Sequence, residues 1–391
     1  ANNADLIIVN SSLYTTDIVD GVDYIFQRAD ELGKSAVVNL SLGTFYGSHD
    51  GTSPYESMLS DMTGPGKLIV VSAGNANGKA VHAEDIIPSG GTSSTTFDVP
   101  ASPSVDQIWI DAWVDGGDTY NVKVFSPTNE TGVQIPGGVN TWNLSGEGQV
   151  SIENYNSSTH PDGDNEIFIE ITGIGGGSVA PGEWSFSLTR VDDGGDGAFD
   201  SWIANPEPGV VQFTSNVTEE ETLSEPATGK YLFAVAAHIT KKQWEASNGN
   251  TYGVTGITLG EIAGFSSIGP SRDTPSDPGD QKPEISAPGF VVAAALSSEY
   301  SADPSAIADD GKHRITQGTS MSAPHLAGAI ALFLQKKPDS TYVSVLEALQ
   351  RSSWEDLDTG TVPNYTWGYG KLNVLDSLYE FTSASRWELY E

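Results

Sequence analysis

Apolar positions in the first part of the chain alternate between two textures. Asp5-Leu-Ile-Ile-Val-Asn10 reads as a short buried strand. After it, Ile18, Val22, Ile25, Phe26, Ala29 and Leu32 recur at helical spacing, which predicts a helix over about 17–32, with Thr16 or Asp17 capping its start and Gly33 stopping it. Residues 36–42 predict a second buried strand, residues 54–62 a shorter helix and residues 67–73 a third strand. Strand–helix–strand–helix–strand with near-continuous apolar strands is the pattern of a parallel sheet with right-handed crossovers. Ligand sites in such sheets lie beyond the carboxyl ends of the strands. Those ends are Ser41-Leu42-Gly43 and Ser72-Ala73-Gly74-Asn75.

From about 80 to 225 the texture changes to Gly, Ser, Thr, Asp and Pro with short alternating runs at 107–114, 120–125, 166–171 and 183–188, the pattern of an antiparallel β-sandwich. Helix and strand resume at 230–237. A long helix follows Ser320, with others near 341–351 and 372–381. The expected organisation is an α/β domain in two parts, 1–79 and 226–391, interrupted by an inserted β domain at 80–225. No internal repeat or low-complexity segment interrupts it.

The length of 391 residues fits two domains, or one with an insertion, and 38% apolar residues supply a sizeable core. No window approaches the roughly 18 apolar residues that span a membrane. Eighteen basic against 52 acidic residues give a net charge of -34, which argues against nucleic acid or an anionic membrane surface as the main partner. Solubility is the plain reading of that charge, a saline habitat the other. The absence of cysteine excludes a disulfide-stapled scaffold. The chain runs from Ala1 straight into the strand-like segment 5–10, so its true start, with any targeting signal, is expected upstream.

The strongest chemical signal is Gly318-Thr-Ser-Met-Ser-Ala-Pro-His325, followed by an apolar helix. A serine between a tight turn and a helix N-terminus sits beside unpaired N–H groups and the positive end of the dipole, where its own N–H would stabilise an oxyanion. Pro324 is expected in the first turn, where its missing donor costs little. In Val70-Val-Ser-Ala-Gly-Asn75 a strand ends in an asparagine, which by itself also reads as a turn residue beside Asn77-Gly78. Val38-Asn-Leu-Ser-Leu-Gly43 ends a second strand, which by itself reads as an ordinary buried strand.

Together these strings resemble the subtilisin-like (subtilase) serine proteases, over about 1–79 and 226–382. Ala263-Gly-Phe-Ser-Ser-Ile-Gly-Pro270, Lys282-Pro-Glu-Ile-Ser-Ala-Pro-Gly289 and Tyr369-Gly-Lys-Leu-Asn373 add to the likeness, all in family order. The resemblance implies that Ser320 is the nucleophile and Asn75 the oxyanion-hole amide, a donor whose loss typically costs about 100- to 1,000-fold in turnover. It implies that Ser41, Leu42 and Gly43 on one side and Ser72, Ala73 and Gly74 on the other line the substrate pocket, with Gly43 and Gly74 keeping its walls open. It makes His325 a packing residue of the helix rather than the general base. No cofactor is required for the chemistry.

The family's aspartate and its H-G-T-H histidine have no counterpart here. The six histidines are His49, His82, His160, His238, His313 and His325, none in that context. His49, just after the pocket strand, reads as a loop residue. Without a base a serine hydroxyl is a weak nucleophile, and an oxyanion hole with binding alone gives about 10³–10⁴ over water. The family's aspartate strand would lie beside 5–10, and a gap there leaves backbone groups unpaired at roughly 1–3 kcal/mol each if buried. The chain alone is therefore expected to be inactive: a truncated piece, or one part of a nicked enzyme whose upstream segment from the same gene supplies the aspartate and histidine. The alternative is a catalytically dead binding scaffold of the same fold.

The segment 182–203 loosely resembles the jelly-roll modules attached to many secreted proteases, some inserted in the catalytic domain. Asp192, Asp193, Asp196 and Asp200 are candidates for a structural calcium, with a solvated acidic turn as the other reading. Exposed aromatic residues on the sandwich suggest glycan binding as a further one. The resemblance implies polypeptide substrates, no nucleic-acid partner and a secreted or cell-surface location.

Overall fold

A strand covered on both faces is apolar nearly throughout. Leu68–Ser72 and Phe233–Ile239 are buried at every position. The computed structural model describes residues 3–155, 160, 163–272 and 281–379. Its chain packs as two compact units, one of Ala1–Gly43, Pro54–Asn75 and Pro226–Glu391, the other of Thr44–Ser53 and Ala76–Glu225. The inserted unit thus starts at Ala76, not 80, and takes in Thr44–Ser53, a segment expected in the α/β part. The reason is local: Phe45 joins Ala76, Val81, Trp113 and Trp202 in one apolar cluster.

In the α/β unit a four-stranded sheet runs Ala36–Leu40, Lys67–Ser72, Phe233–Ile239, Ile285–Phe290, every neighbour parallel. Helix α1 (Thr15–Glu31) buries Ile18, Val19, Val22, Phe26 and Ala29, and stops at Gly33, whose φ of 62° suits a residue without Cβ. Its N-cap is Tyr14 with no side-chain bond, rather than Thr16 or Asp17. Asp17 instead sits in the first turn, where a carboxylate favours the dipole and accepts from the Ser12 hydroxyl. Helix α2 is Pro54–Asp61. Helix α3 (Thr319–Lys336) lies against all four strands through Ala323, Leu326, Ile330 and Phe333. Helix α4 (Tyr342–Ser352) opens with a reciprocal Thr341–Ser344 capping box. The last helix expected covers 374–379, and residues 380–381 fall outside the described residues.

Residues 5–10 are not a strand. No strand among the described residues pairs with them, and without a ladder the apolar run has no reason to extend as one. Leu6 and Ile8 are 84% and 89% exposed, while Val9 leans on α1 at Gly21.

The start of the Phe233–Ile239 strand is fixed by a buried polar network. Lys282 Nζ donates to the carbonyls of Gly229 and Leu232, each at 2.7 Å, and to Glu284 Oε1 at 2.5 Å. Glu284 accepts from Ala234 N at 2.6 Å and from Tyr342 OH at 2.6 Å. Burial raises the Glu284 carboxyl, and the charge and hydrogen bond of Lys282 oppose that rise. The Lys282-Pro-Glu string therefore has a structural task.

The other unit is two antiparallel sheets. One runs Val217–Thr218, His82–Ile86, Ala198–Asn205, Gln107–Val114, Asn165–Thr172, Gly148–Asn154, Gly138–Leu144. The second runs Gln212–Phe213, Thr92–Val99, Gly182–Asp193, Asp118–Phe125, Thr131–Gln134. Alternation places Ile108, Ile110, Ile167 and Ile169 of one sheet in a common core with Trp184, Phe186 and Leu188 of the other. Among the described residues no helix is long and apolar enough to cross a membrane.

Removing one partner of a buried ion pair strands the other. Lys282→Met should lower the unfolding free energy by about 3–5 kcal/mol, read from the urea midpoint. The double change Lys282→Met/Glu284→Met should recover part of that loss.

Candidate active site

The candidate nucleophile stands where a glycine turn hands the chain to α3. Gly318, the N-cap, has φ 140°, a conformation that L side chains rarely adopt. Thr319 follows, fully buried, and Ser320 is half-buried. As a residue of the helix's first turn, Ser320 keeps a backbone N–H that no carbonyl of the same helix accepts.

Thr319 fastens this turn to the end of the neighbouring strand. Its N–H donates to Asn75 Oδ1 at 2.9 Å. Its hydroxyl accepts from Gly74 N at 3.1 Å and has the Gly74 carbonyl and Asn75 Oδ1 within 3.2 Å as acceptors. An N–H requires an acceptor, so the carboxamide oxygen is the atom held, and the amide nitrogen of Asn75 is left to donate elsewhere. Asn75 is exposed, whereas Gly74 behind it is buried.

Pro324 is not in the first turn. Helix α3 begins at Thr319, which puts the proline inside the helix and leaves the Ser320 carbonyl without its usual i+4 donor. The Ser41 hydroxyl supplies that donor at 2.8 Å and is itself held by Asn39 Nδ2 at 2.9 Å. In return Ser320 Oγ lies 3.4 Å from the Ser41 carbonyl. The two expected pocket segments run side by side, since Leu40 pairs with Val71 in the parallel ladder and Ser72 Oγ reaches the Leu42 carbonyl at 3.3 Å. Ser41, Leu42, Gly43, Ser72, Ala73, Gly74, Asn75 and Ser320 thus gather at the carboxyl edge of one sheet. Thr319 is the member that sequence reasoning left without a role, though its place between a glycine cap and the serine was the signal.

The α/β unit's own histidines are engaged elsewhere. His313 meets Asp310 at 2.5 Å. His325 is exposed, with Nδ1 2.8 Å from the Met321 carbonyl, so it does not pack as expected. The helical period gives the sheet side of α3 to Ala323, Leu326, Ala327 and Ile330. His238 is buried beside Ser286 Oγ at 3.1 Å, and burial, reinforced by the charges of Lys371 and His325, brings it down to about 4. In the β unit, His49 lies in a loop, as expected, and is buried there. It is 1% exposed, 2.9 Å from the Leu223 carbonyl and stacked on Trp202 at 4.1 Å.

Among the described residues the acidic turn is organised by a carboxylate outside the four candidates. Asp118 organises it, accepting from Arg190 Nε at 2.9 Å, Gly195 N at 3.0 Å and Gly197 N at 2.8 Å. Asp196 accepts from Ala198 N at 2.9 Å, and the Asp192 backbone pairs with Thr119. The side chain of Asp193 lies outside the described residues. Of the four acidic candidates only Asp200 enters a group of prospective metal ligands among the described residues.

The sequence model of the subtilase family matches residues 1–174 and 203–370. The chain belongs to the subtilase family. Among curated proteins it is similar to the minor extracellular protease Vpr of Bacillus subtilis, 33% identical over 123 residues, which are 31% of this chain and 14% of that protein. It is also similar to the Arabidopsis thaliana subtilisin-like protease SBT5.6, 41% identical over 96 residues, 24% of this chain and 12% of that protein. The matched stretches are thus a small part of these relatives' length. Among solved structures the Clostridium perfringens CspB protease superposes with a TM-score of 0.74 at 20% identity, covering 94% of this chain and 72% of that one. That likeness concerns the fold: a subtilisin-like α/β domain with an antiparallel β insertion.

Two outcomes test the geometry. Ser41→Ala leaves the Ser320 carbonyl without a donor and should destabilise the protein by about 1 kcal/mol in thermal unfolding. His238, lowered to about 4 in the folded protein from 6.5, is more readily protonated when unfolded. Its contribution should therefore be intact above about pH 6.5 and fall as the pH drops toward 4, reaching about 3 kcal/mol. Denaturation of His238→Gln should show a correspondingly shallower dependence over that window.

Proposed function

We propose that the whole protein is a secreted or cell-surface serine endopeptidase that acylates Ser320. Its histidine base and orienting aspartate come from a segment of the same gene outside this chain, either continuous with it or joined after nicking. The observation that most supports this reading is the carboxamide of Asn75. Its oxygen is taken by Thr319 N–H at 2.9 Å, so its N–H bonds are left for a ligand beside the helix terminus that carries Ser320. A scaffold that only binds has no chemical need for this orientation.

In the proposed reaction Ser320 Oγ attacks the scissile carbonyl while the base removes its proton. The carbonyl oxygen becomes an oxyanion, which accepts from Asn75 Nδ2 and Ser320 N–H. Both donors are oriented before substrate arrives, so little reorganisation accompanies the rise of charge. The substrate strand adds alongside Ser41–Gly43, with Ser72–Gly74 as the facing wall of the pocket. No cofactor takes part in these steps, and a structural calcium remains compatible with them. Alone, the chain lacks the base and is inactive.

A fluorophosphonate probe reads the reactive serine directly. Ser320 should be labelled when the chain is co-expressed with its upstream segment, and not in the chain alone or in Ser320→Ala. In the labelled complex Asn75→Ala should slow turnover about 100- to 1,000-fold, the loss known for the equivalent donor in subtilisin. A folded complex whose Ser320 stays unlabelled would leave a binding scaffold on a protease frame.

A further inference from the structure

The β unit carries a second cluster of chemistry-bearing side chains. Strands His82–Ile86 and Ala198–Asn205 are antiparallel neighbours, with Glu84 opposite Asp200 and His82 opposite Trp202. The two-residue period puts His82 and Glu84 on one face, with Asp200 beside them. Val217–Thr218 pairs with the other edge of the His82 strand and brings Glu221 close. One ligand atom from each of His82, Glu84, Asp200 and Glu221 lies within 4.8 Å of the others.

We propose that these four side chains form a binding site for a divalent transition cation of the zinc class. The first reason is the set of His82. Its ring is fully buried, stacked on Trp202 at 4.5 Å, and its Nδ1 is 3.1 Å from the Glu220 carbonyl. A carbonyl only accepts, so Nδ1 carries a proton, and in the neutral ring Nε2 turns its lone pair toward the carboxylates. An imidazole oriented through its far nitrogen by a carbonyl is the usual arrangement of a metal-ligating histidine.

The second reason is charge. In the neutral ring, His82 Nε2 and Asp200 Oδ1 are two acceptors facing each other at 3.2 Å, with Glu221 Oε2 at 3.8 Å. Glu84 directly opposite Asp200 adds a like-charged cross-strand pair, which is destabilising by itself. A proton on the ring would answer the first contact and leave three carboxylates against one positive charge. A divalent cation answers all of them.

The third reason is size and donor type. Four ligands about 2.0–2.1 Å from a tetrahedral zinc lie about 3.3 Å from one another, and the separations of 3.2 and 3.8 Å fit that scale. Calcium prefers oxygen ligands throughout, whereas an imidazole suits zinc and its neighbours. Glu84 is exposed, so an ion reaches the group from solvent. Once bound, it would fasten the Glu221 segment to the strand pair.

The test is calorimetric titration of the EDTA-treated full chain with zinc chloride, followed in parallel by tryptophan fluorescence, since Trp202 touches the proposed ligand. One ion per chain should bind, the thermal midpoint should rise, and the emission should change over the same titration. Glu84→Gln, at an exposed position, and the near-isosteric Asp200→Asn should each weaken binding at least tenfold without loss of fold. His82→Gln should abolish it, and circular dichroism reports whether that variant folds. A folded wild-type chain that takes up no zinc at millimolar concentration would overturn the proposal. So would binding that both carboxylate variants leave unchanged, or calcium binding at these residues in preference to zinc.

Discussion

One hydrogen bond, from the backbone N–H of Thr319 to the side-chain oxygen of Asn75, joins the start of the helix that carries Ser320 to the end of the Lys67–Ser72 strand. Everything chemical about the α/β unit depends on it. It decides which end of the carboxamide faces outward, and it uses a donor that the helix could not satisfy internally. The Thr319 hydroxyl repeats the linkage to Gly74, so turn and strand end are tied through both backbone and side chain. Gly318 makes the approach possible, because its φ of 140° is one that a residue with a Cβ rarely adopts.

A second linkage follows from Pro324. A proline within α3 removes an internal hydrogen bond and frees the Ser320 carbonyl. In isolation that is a defect of the helix. Here the freed carbonyl is met by Ser41, at the end of the Ala36–Leu40 strand, so the missing bond becomes a contact between helix and strand. Ser320 is thereby placed against both neighbouring strand ends, one through Thr319 and the other through its own carbonyl. The sheet below is rigid for ordinary reasons: strands buried on both faces and a helix laid across all four.

Much of this architecture is legible in the chain. The helical spacing of Ile18, Val22, Phe26 and Ala29, and the continuous apolar runs at 36–40 and 67–72, mark their elements because each needs an apolar face or two. The β unit is legible in the alternation of Ile108, Ile110 and Ala112. Ser320 and Asn75 are legible because their neighbours form long strings with few other uses. What escaped was non-local. The run at 5–10 has strand composition and no strand partner among the described residues. His49 sits in loop-like sequence and is buried by Trp202, more than 150 positions away. The acidic residues at 192–200 look like one cluster, yet Asp118 and Arg190 claim the turn, and Asp200 joins a group with His82 and Glu84. Linear spacing carries no information about cross-strand neighbours until the register is known.

The buried cations have a consequence for the outside of the molecule. Arg190, Arg272, Lys282 and Lys371 are all nearly inaccessible, and the whole chain has only 18 basic residues. Arg190, Lys282 and Lys371 are met by carbonyls or carboxylates, and water meets a surface poorer in positive groups than the composition implies. Such a surface repels its own copies and surrounds itself with counterions. Approaching peptides feel it before they touch, basic ones drawn in and acidic ones turned away, over a range of about 10 Å at 0.1 M salt. Ionic strength thus becomes a selector of which molecules arrive at this surface, acting ahead of any contact.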